Sequence, residues 1–229
     1  GLKKRFGEQE VLKGVDLELP RGGITTIIGG SGSGKSVLVK HIIGLLKPDE
    51  GQVLYEGRDM VTLKHRQLAE MRRKFGMLFQ HSALFDSMTV EENVAFPLIE
   101  HTRMSSTEIK RMVTEKLELL GLRGIEKKVP SELSGGMRKR VGLARAIVLN
   151  PEVIIYDEPT TGLDPIMTLN VDNMVKDTQA KLKITAIVIS HDMASVFRIS
   201  DHIAMLYQGR IVEYGPPSQF LTSSNQVVK

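Results

Sequence analysis

The chain has 229 residues, 41% of them hydrophobic and 25% charged, which is typical of a globular protein large enough for one α/β domain. It contains no cysteine, which excludes disulfides and thiolate metal sites, and no apolar run approaches the ~20 residues of a membrane-spanning helix. The net charge of +4 comes from short, scattered basic clusters, and only 5% of the residues are aromatic, so we predict no nucleic-acid partner.

The first 28 residues are predicted to form strands joined by turns. Alternating apolar residues within 11–19 indicate a half-buried strand, and the apolar run at 24–28 indicates a fully buried one. Phe6 is an isolated aromatic residue that either packs in the core or offers a flat face to a nucleobase. Because the chain begins at Gly1 rather than at methionine, we expect the full protein to begin earlier and a strand to precede this residue.

The glycine-rich sequence GGSGSGKS at residues 29–36, hereafter the phosphate loop, follows the buried strand and precedes a predicted helix at 37–46. A strand, such a loop and a helix in this order are typical of phosphate binding, because inward-facing backbone N–H groups and the helix dipole attract anions. Lys35 would add a full charge for the β- and γ-phosphates, and the Ser36 hydroxyl could bind Mg²⁺. The alternative is a flexible turn. The remaining residues of the predicted loop are Gly29, Gly30, Ser31, Gly32, Ser33 and Gly34.

Two short strands are predicted at residues 52–55 and 74–78, with a helix at 65–73 between them. Gln80 comes directly after the second strand. A polar side chain at the end of a buried strand can reach a phosphate or a metal, although a surface glutamine is the commoner explanation of this pattern.

Residues 81–150 are predicted to be rich in helix after a loop-rich stretch at 82–97. Ser105 and Glu108 match a capping box that opens a helix, which Gly121 closes.

A further helix is predicted after LSGGM at residues 133–137, hereafter the signature segment, and runs to about Leu149. Ser134, Gly135 and Gly136 lie where this helix begins. They form either a second anion-binding helix start or an ordinary glycine-softened cap, and the spacing alone favours the cap.

A buried strand is predicted at the apolar residues 153–156, and Asp157 and Glu158 follow directly. Two carboxylates at the end of a buried strand are costly unless they face a cation or move a proton. Asp157 suits Mg²⁺, usually through water, and Glu158 suits the polarisation of an attacking water. His191 also follows an apolar strand, predicted at 184–190, so it is either structural or able to reach a γ-phosphate at the same edge of the sheet.

From Phe6 to about Phe220, the order of these motifs resembles that of the ATP-binding subunits of ABC transporters: the phosphate loop, Gln80, the signature segment, VIIYDE at 153–158, Leu163-Asp164 and His191. The resemblance implies an α/β fold with a P-loop NTPase RecA-like core, an antiparallel β subdomain and an α-helical subdomain that contains the signature segment. Residues 1–229 would form one domain. Its core and β subdomain would come from about 1–80 and 151–229, and its helical subdomain from about 81–150.

The resemblance also implies ATP and Mg²⁺ as ligands and a role for each site residue. Lys35, Glu158 and His191 would be catalytic, with Glu158 as the general base, and Phe6 would stack on adenine. Ser36, Gln80 and Asp157 would hold the metal. Contacts from the second subunit of a homodimer would come from Ser134, Gly135, Gly136 and Asp164.

Met137 departs from the family pattern, in which the fifth signature residue is usually glutamine. This SGGM-type signature and the stretch from Phe79 to Leu98 resemble the Mla/Mce branch of the family, whose members power phospholipid transport between membranes. The resemblance thus implies a separate integral-membrane permease, small regulatory and Mce-type subunits, and a peripheral position on the cytoplasmic face of the inner membrane. Leu84, Phe85 and Phe96 either contact the permease or fill the core between subdomains.

Two other functions remain open at this stage. One is the ATPase of a small-solute importer. The other is a non-transport ABC module that acts as a mechanical clamp, which the single ATPase half and the absence of inserted arms make less favourable.

Overall fold

The computed structural model, which describes residues 1–228, is built around a six-stranded sheet. Its strands are β1 (Leu2–Phe6), β2 (Gln9–Val15), β3 (Ile24–Ile28), β4 (Leu54–Tyr55), β5 (Arg58–Asp59), β6 (Phe75–Leu78), β7 (Val153–Asp157), β8 (Thr185–Ile189), β9 (His202–Tyr207) and β10 (Arg210–Gly215). The six strands of the sheet lie in the order β10–β9–β3–β8–β7–β6, parallel throughout except for the antiparallel β10 at one edge. Every residue of β3 and β8 is buried, as expected for strands of a parallel sheet that is covered on both faces.

The helices cover both faces of the sheet. They are α1 (Lys35–Ile42), α2 (His65–Arg72), α3 (Val90–His101), α4 (Ser106–Leu119), α5 (Gly135–Ile147), α6 (Pro165–Leu182), α7 (Met193–Ile199) and α8 (Pro217–Leu221). Alternate residues of one strand point to opposite faces, so Ile155 packs with Leu38 of α1, whereas Ile154 packs in the cluster that contains Leu143 of α5 and Val175 of α6.

Outside this sheet, the strands form two separate antiparallel hairpins, β1–β2 and β4–β5. The predicted strand at 11–19 is wrong in its second half, because β2 ends at Val15 and residues 16–19 form no regular strand. Leu17 and Leu19 nevertheless turn towards the core, which explains the alternating pattern without a hydrogen-bonded partner strand.

A third apolar cluster joins α3, α4 and α5 into a helical layer, centred on Val94, Leu117 and Val141. The predicted loop-rich stretch at 82–97 is wrong from Val90 onwards, because α3 begins there and continues through Pro97. The helix starts at a capping box in which the Glu92 N–H donates to Thr89 Oγ at 3.2 Å and the Thr89 N–H donates to Glu92 Oε2 at 2.7 Å.

Other predicted helices are present in the structure, but their ends differ from the predicted ones. α4 begins after the predicted Ser105–Glu108 capping box, and Gly121 follows its end with φ +70°. α1 spans Lys35–Ile42 rather than 37–46. Within residues 1–228, none of the helices combines the length and the hydropathy needed to cross a bilayer.

Candidate nucleotide-binding site

The carboxyl ends of four neighbouring parallel strands bring most of the predicted site residues to one edge of the sheet. The phosphate loop follows β3, Gln80 follows β6, Asp157 ends β7 and His191 follows β8. Ligands of open α/β sheets bind at this edge, because the loops there converge and the helix N-termini point towards it.

The backbone of the phosphate loop requires glycine at its tightest points. Gly29 has φ +154°, and a Cβ there would lie 2.2 Å from the carbonyl oxygen of Leu206. Gly32 and Gly34 also have positive φ, at +74° and +103°. The loop is therefore a fixed concave structure rather than a flexible turn.

Lys35 closes this concave structure. Its Nζ donates to the carbonyl oxygens of Gly29 at 2.7 Å and Gly30 at 3.0 Å. Burial lowers the pKa of Lys35, whereas the charges of Glu158 and Asp157 act to raise it. The ammonium group thus lies within the electrostatic reach of both carboxylates.

The N-terminus of α1 has no side chain that caps it. Its N-cap residue is Gly34, in the left-handed conformation, and no acidic residue lies in the first turn. In α3 to α7, by contrast, the side chain of the N-cap residue accepts a backbone N–H of the first turn; these residues are Thr89, Ser105, Ser134, Asp164 and Asp192. The free donors at the start of α1 are those that a phosphate group would use.

Asp157 and Glu158 differ in their surroundings although they are adjacent. Burial and then the neighbouring Glu158 raise the pKa of Asp157, while Lys35 acts in the opposite direction. Glu158 has φ +47°, a conformation that is strained for a residue with a side chain. Its N–H donates to the carbonyl oxygen of Ile189 at 2.9 Å, and Thr161 Oγ1 donates to its Oε2 at 3.0 Å.

His191 lies against Glu158. Its Nδ1 is 3.5 Å from Glu158 Oε2, and its side chain is 60% exposed. The carboxylate of Glu158 and the exposed imidazole of His191 thus lie together beyond the ends of β7 and β8. A carboxylate and an imidazole in this arrangement can hold a water molecule and accept its proton.

Residues 79–89, which include Gln80, form what we call the Gln80 loop. Gln80 is half-buried at the end of β6, beside β7. Leu84 packs against the helical layer, which supports its core interpretation, whereas Phe85 remains 43% exposed with its ring 5.1 Å from that of Phe96.

The signature segment lies at the start of α5. Ser134 is its N-cap and accepts the Met137 N–H at 3.3 Å, and both Ser134 and Gly135 are exposed. Within residues 1–228, no hydrogen bond joins these residues to the phosphate loop. Met137 is half-buried and packs against the helical layer, so its departure from glutamine adds an apolar side chain to that layer.

Asp164 and Phe6 each have local contacts of their own. Asp164 caps α6 by accepting the N–H groups of Ile166 and Met167, both at 2.9 Å. Phe6 ends β1 and is 47% exposed, so it does not pack in the core, and Lys4 Nζ lies 5.5 Å from its ring centroid.

The residues at this edge fit a triphosphate and one divalent cation. The phosphate loop offers a fixed ring of backbone donors, a lysine and an uncapped helix. Asp157 and Ser36 provide oxygen atoms of the type that Mg²⁺ prefers. Within residues 1–228, no group of three or more His, Cys, Asp or Glu side chains could hold a metal ion. A cation here would therefore share its coordination with the phosphates.

Three residues that support the site gave no sequence signal. Lys139 and Arg145 of α5 donate to carbonyl oxygens of the Gln80 loop, and the fully buried Asn93 of α3 bonds to three more. The partners of Lys139 and Arg145 lie far away in sequence, and those of Asn93 lie four to eight residues before it without a motif that marks the contact.

The sequence profile of the ABC transporter family matches residues 12–161. The chain is 44% identical over 229 residues to the "probable ribonucleotide transport ATP-binding protein mkl" of Mycobacterium leprae, covering all of this chain and 66% of that protein. It is 42% identical over 219 residues to the "intermembrane phospholipid transport system ATP-binding protein MlaF" of Haemophilus influenzae, covering 96% of this chain and 83% of that protein.

Solved structures of the same family share the fold. CbiO1 from Clostridium perfringens, part of the ABC transporter complex cbiONQ, superposes with a TM-score of 0.89 at 30% identity, covering 97% of this chain and 88% of the other. The ATP-binding cassette MJ0796, in its dimeric post-hydrolysis state with ADP and phosphate, has a TM-score of 0.81 at 32% identity, covering 94% and 95%.

The chain therefore belongs to the ABC transporter family, and its fold is that of an ABC ATPase cassette. It spans about two thirds of the length of its mycobacterial relatives, 64–66%.

Proposed function

We propose that the chain is the ATP-hydrolysing subunit of an ABC transporter and powers phospholipid transport between membranes through a separate permease. The observation that supports this most directly is the edge of the sheet where the phosphate loop, the Asp157–Glu158 pair and His191 lie together. Fold alone would not support it, since one fold serves many functions.

In this proposal, the phosphate loop binds the β- and γ-phosphates of ATP through its backbone N–H groups and Lys35, and Phe6 stacks on the adenine. Ser36, Asp157 and Gln80 hold Mg²⁺, which would neutralise phosphate charge when bound. Glu158 accepts a proton from the attacking water, and His191, 3.5 Å away, holds the water and the γ-phosphate in place. Water attacks the γ-phosphorus, the bond to the β-phosphate oxygen breaks, and ADP and phosphate leave.

The site is completed by a second copy of the chain. Ser134, Gly135 and Gly136 would contact the γ-phosphate held by the partner's phosphate loop, and Asp164 would approach the same nucleotide. The exposure of Ser134 and Gly135 supports this, as does the dimeric state of MJ0796. ATP then favours the closed dimer because its γ-phosphate contacts both copies, and hydrolysis removes that preference.

Phospholipid is the proposed cargo because MlaF relatives bear that name at 42% identity. By the same analogy, the chain would lie at the cytoplasmic face of the inner membrane, bound to a permease and to small regulatory and Mce-type subunits. The exposed Phe85 ring beside Phe96 would be its contact with the permease. A second candidate cargo is a ribonucleotide, since the mycobacterial relatives named for it are 44% identical.

Replacement of the proposed base tests the ATPase assignment. Glu158→Gln is expected to leave ATP binding intact, to lower kcat by about 100-fold or more because no group accepts the proton, and to accumulate a nucleotide-bound dimer. Phosphate release and size-exclusion chromatography measure both effects. ATP hydrolysis at the wild-type rate in this variant would contradict the assignment.

A second experiment separates the two cargoes. The chain is purified together with its permease, and the molecules that copurify are identified by mass spectrometry. Phospholipid that is retained, and transferred between vesicles only with ATP, supports the first proposal. ATP-dependent ribonucleotide uptake without lipid transfer would replace it with the second.

A further inference from the structure

Lys139 is a buried lysine without a carboxylate partner. It lies in α5, is 7% exposed, and its Nζ donates to the carbonyl oxygen of Gln80 at 3.1 Å and to that of Pro159. Within residues 1–228, no Asp or Glu forms an ion pair with it. Burial lowers its pKa, because the charged form has lost water.

Burial of such a group costs free energy, because only two neutral carbonyl acceptors compensate here for the water that the ammonium group has lost. An apolar side chain of similar length would avoid that cost. The position of the two carbonyl groups suggests what the lysine contributes.

One acceptor belongs to a proposed site residue and the other to the neighbour of one. One is Gln80 itself, at the end of β6, and the other is Pro159, which directly follows Glu158 at the end of β7. The helix that carries Lys139 begins at Ser134. One ammonium group thus joins the segments that contain Gln80, Glu158 and Ser134.

Further contacts of α5 fall on the same helical face, three and six residues after Lys139. Arg145 donates to the carbonyl oxygens of Ser82 and Ala83, both at 2.8 Å. A Cβ on Gly142 would lie 2.9 Å from Ser82 Cβ, so the backbones are in close contact. Ser82 and Ala83 have positive φ, at +62° and +46°, and these contacts hold that strained turn. Of the three α5 residues, Lys139 alone also reaches the end of β7.

We propose that Lys139 is a positioning residue that fixes the signature helix α5 to the backbone of Gln80 and of the Glu158 segment. This rests on the function proposed above. Because Ser134 would contact ATP in one site of the dimer and Glu158 acts in the other, Lys139 links the two sites through the body of one subunit.

The test compares two buried lysines that undergo the same substitution. Lys116 in α4 is 5% exposed and donates to Asn150 Oδ1 at 2.7 Å, and it has no contact with the site. Lys139→Met is expected to lower kcat by about tenfold or more while the Kd for ATP changes by less than about twofold, since misplacement affects the reaction more than binding. Lys116→Met is expected to keep both values.

Amide hydrogen exchange gives a readout that does not depend on activity. Lys139→Met is expected to increase exchange in residues 79–84 and 158–162, whereas Lys116→Met leaves both segments unchanged. If wild-type protein fails to hydrolyse ATP but the exchange result holds, the proposed function fails and the positioning role stands. If wild-type protein is active and exchange in both segments is unchanged in Lys139→Met, the positioning role is overturned.

Lys139→Gln extends the test, because its amide can still donate to a carbonyl without a buried charge. We expect the kcat of Lys139→Gln to lie well above that of Lys139→Met, although the glutamine side chain is one bond shorter than that of lysine. Equal losses in the two Lys139 variants, or an equal loss in Lys116→Met, would also contradict the proposal. Should Lys139→Met not fold, Lys139→Gln still decides the question. Its shorter side chain is expected to increase exchange in at least one of the segments 79–84 and 158–162, and unchanged exchange in both would contradict the proposal.

Discussion

Two adjacent glycines of the phosphate loop face different constraints. Gly29 has a backbone conformation that residues with a side chain rarely adopt, and it also lacks space for one. A Cβ at this position would lie 2.2 Å from the Leu206 carbonyl oxygen. Gly30 has no atom within 4 Å of the corresponding position and no positive φ. The first glycine therefore fixes the shape of the loop, and the second is needed only where a ligand approaches.

This contrast gives a matched pair of variants. Gly29→Ala is expected to destabilise the chain by about 1–3 kcal/mol, because the new methyl group must displace backbone, and to weaken ATP binding. Gly30→Ala is expected to keep the wild-type stability. Urea unfolding measures the first effect and nucleotide titration the second. Equal stability of the two variants would show that the loop is softer than its geometry implies.

Single residues that depend on local pattern were predictable. Lys35, Asp157 and His191 follow apolar runs at the spacing of strand ends, and the structure brings them to one edge. The strained backbone of Glu158 and the buried Lys139 were not predictable, because both depend on contacts with segments far away in sequence.

Among the elements, the Gln80 loop takes its shape from one side chain of α3. The fully buried Asn93 accepts the Phe85 N–H at 2.8 Å and donates to the carbonyl oxygens of Phe85, Met88 and Thr89 at 3.0–3.1 Å. Its side chain thereby ties the Phe85 and Met88 backbone of the loop to the first turn of α3.

Removal of this side chain is expected to cost stability. Asn93→Leu leaves the Phe85 N–H and the Met88 carbonyl oxygen without their partner in Asn93 and should lower the free energy of unfolding by about 2–3 kcal/mol. Asn173→Leu, at an exposed position of α6, serves as the control and should change it little. Urea unfolding with fluorescence or circular dichroism gives both values, and equal values would contradict the role of Asn93.

Elements with a clear period were predicted and those with mixed signals were not. The predicted strands that became β3, β7 and β8 were correct, because their mainly apolar sequences suit a parallel sheet that is covered on both faces. α3 was missed because Pro97 disfavours helix, although the capping box at Thr89 is a local signal that could have revealed it. The strand expected at 16–19 is absent, because alternation of apolar residues shows only which side chains face the core. A strand also needs a neighbouring strand with which its backbone can pair.

At the scale of the whole molecule, the proposal requires two copies, since the signature segment and the phosphate loop of one chain share no hydrogen bond within residues 1–228. The family resemblance implied the three-part architecture, but geometry within one chain does not give the dimer, because its contacts lie between chains.

Ser134→Asp tests the composite site without damage to the helix. Aspartate is as good an N-cap as serine, so α5 should remain intact, but its charge would oppose the γ-phosphate. In a Glu158→Gln background, ATP is expected to produce the dimer, and the added Ser134→Asp change is expected to abolish it while ATP binding persists. Ser105→Asp, at the N-cap of α4, is the matched control. A dimer that still forms on ATP addition would refute the composite site.

The uncapped start of α1 has a consequence for how the chain responds to its environment. Because α3 to α7 close their first turns with their own side chains and α1 does not, a bound phosphate would complete this helix. A nucleotide bound there would stabilise the first turn of α1, because a ligand that binds only the ordered form shifts the equilibrium towards that form. The resistance of this turn to opening would then rise with the concentration of the nucleotide.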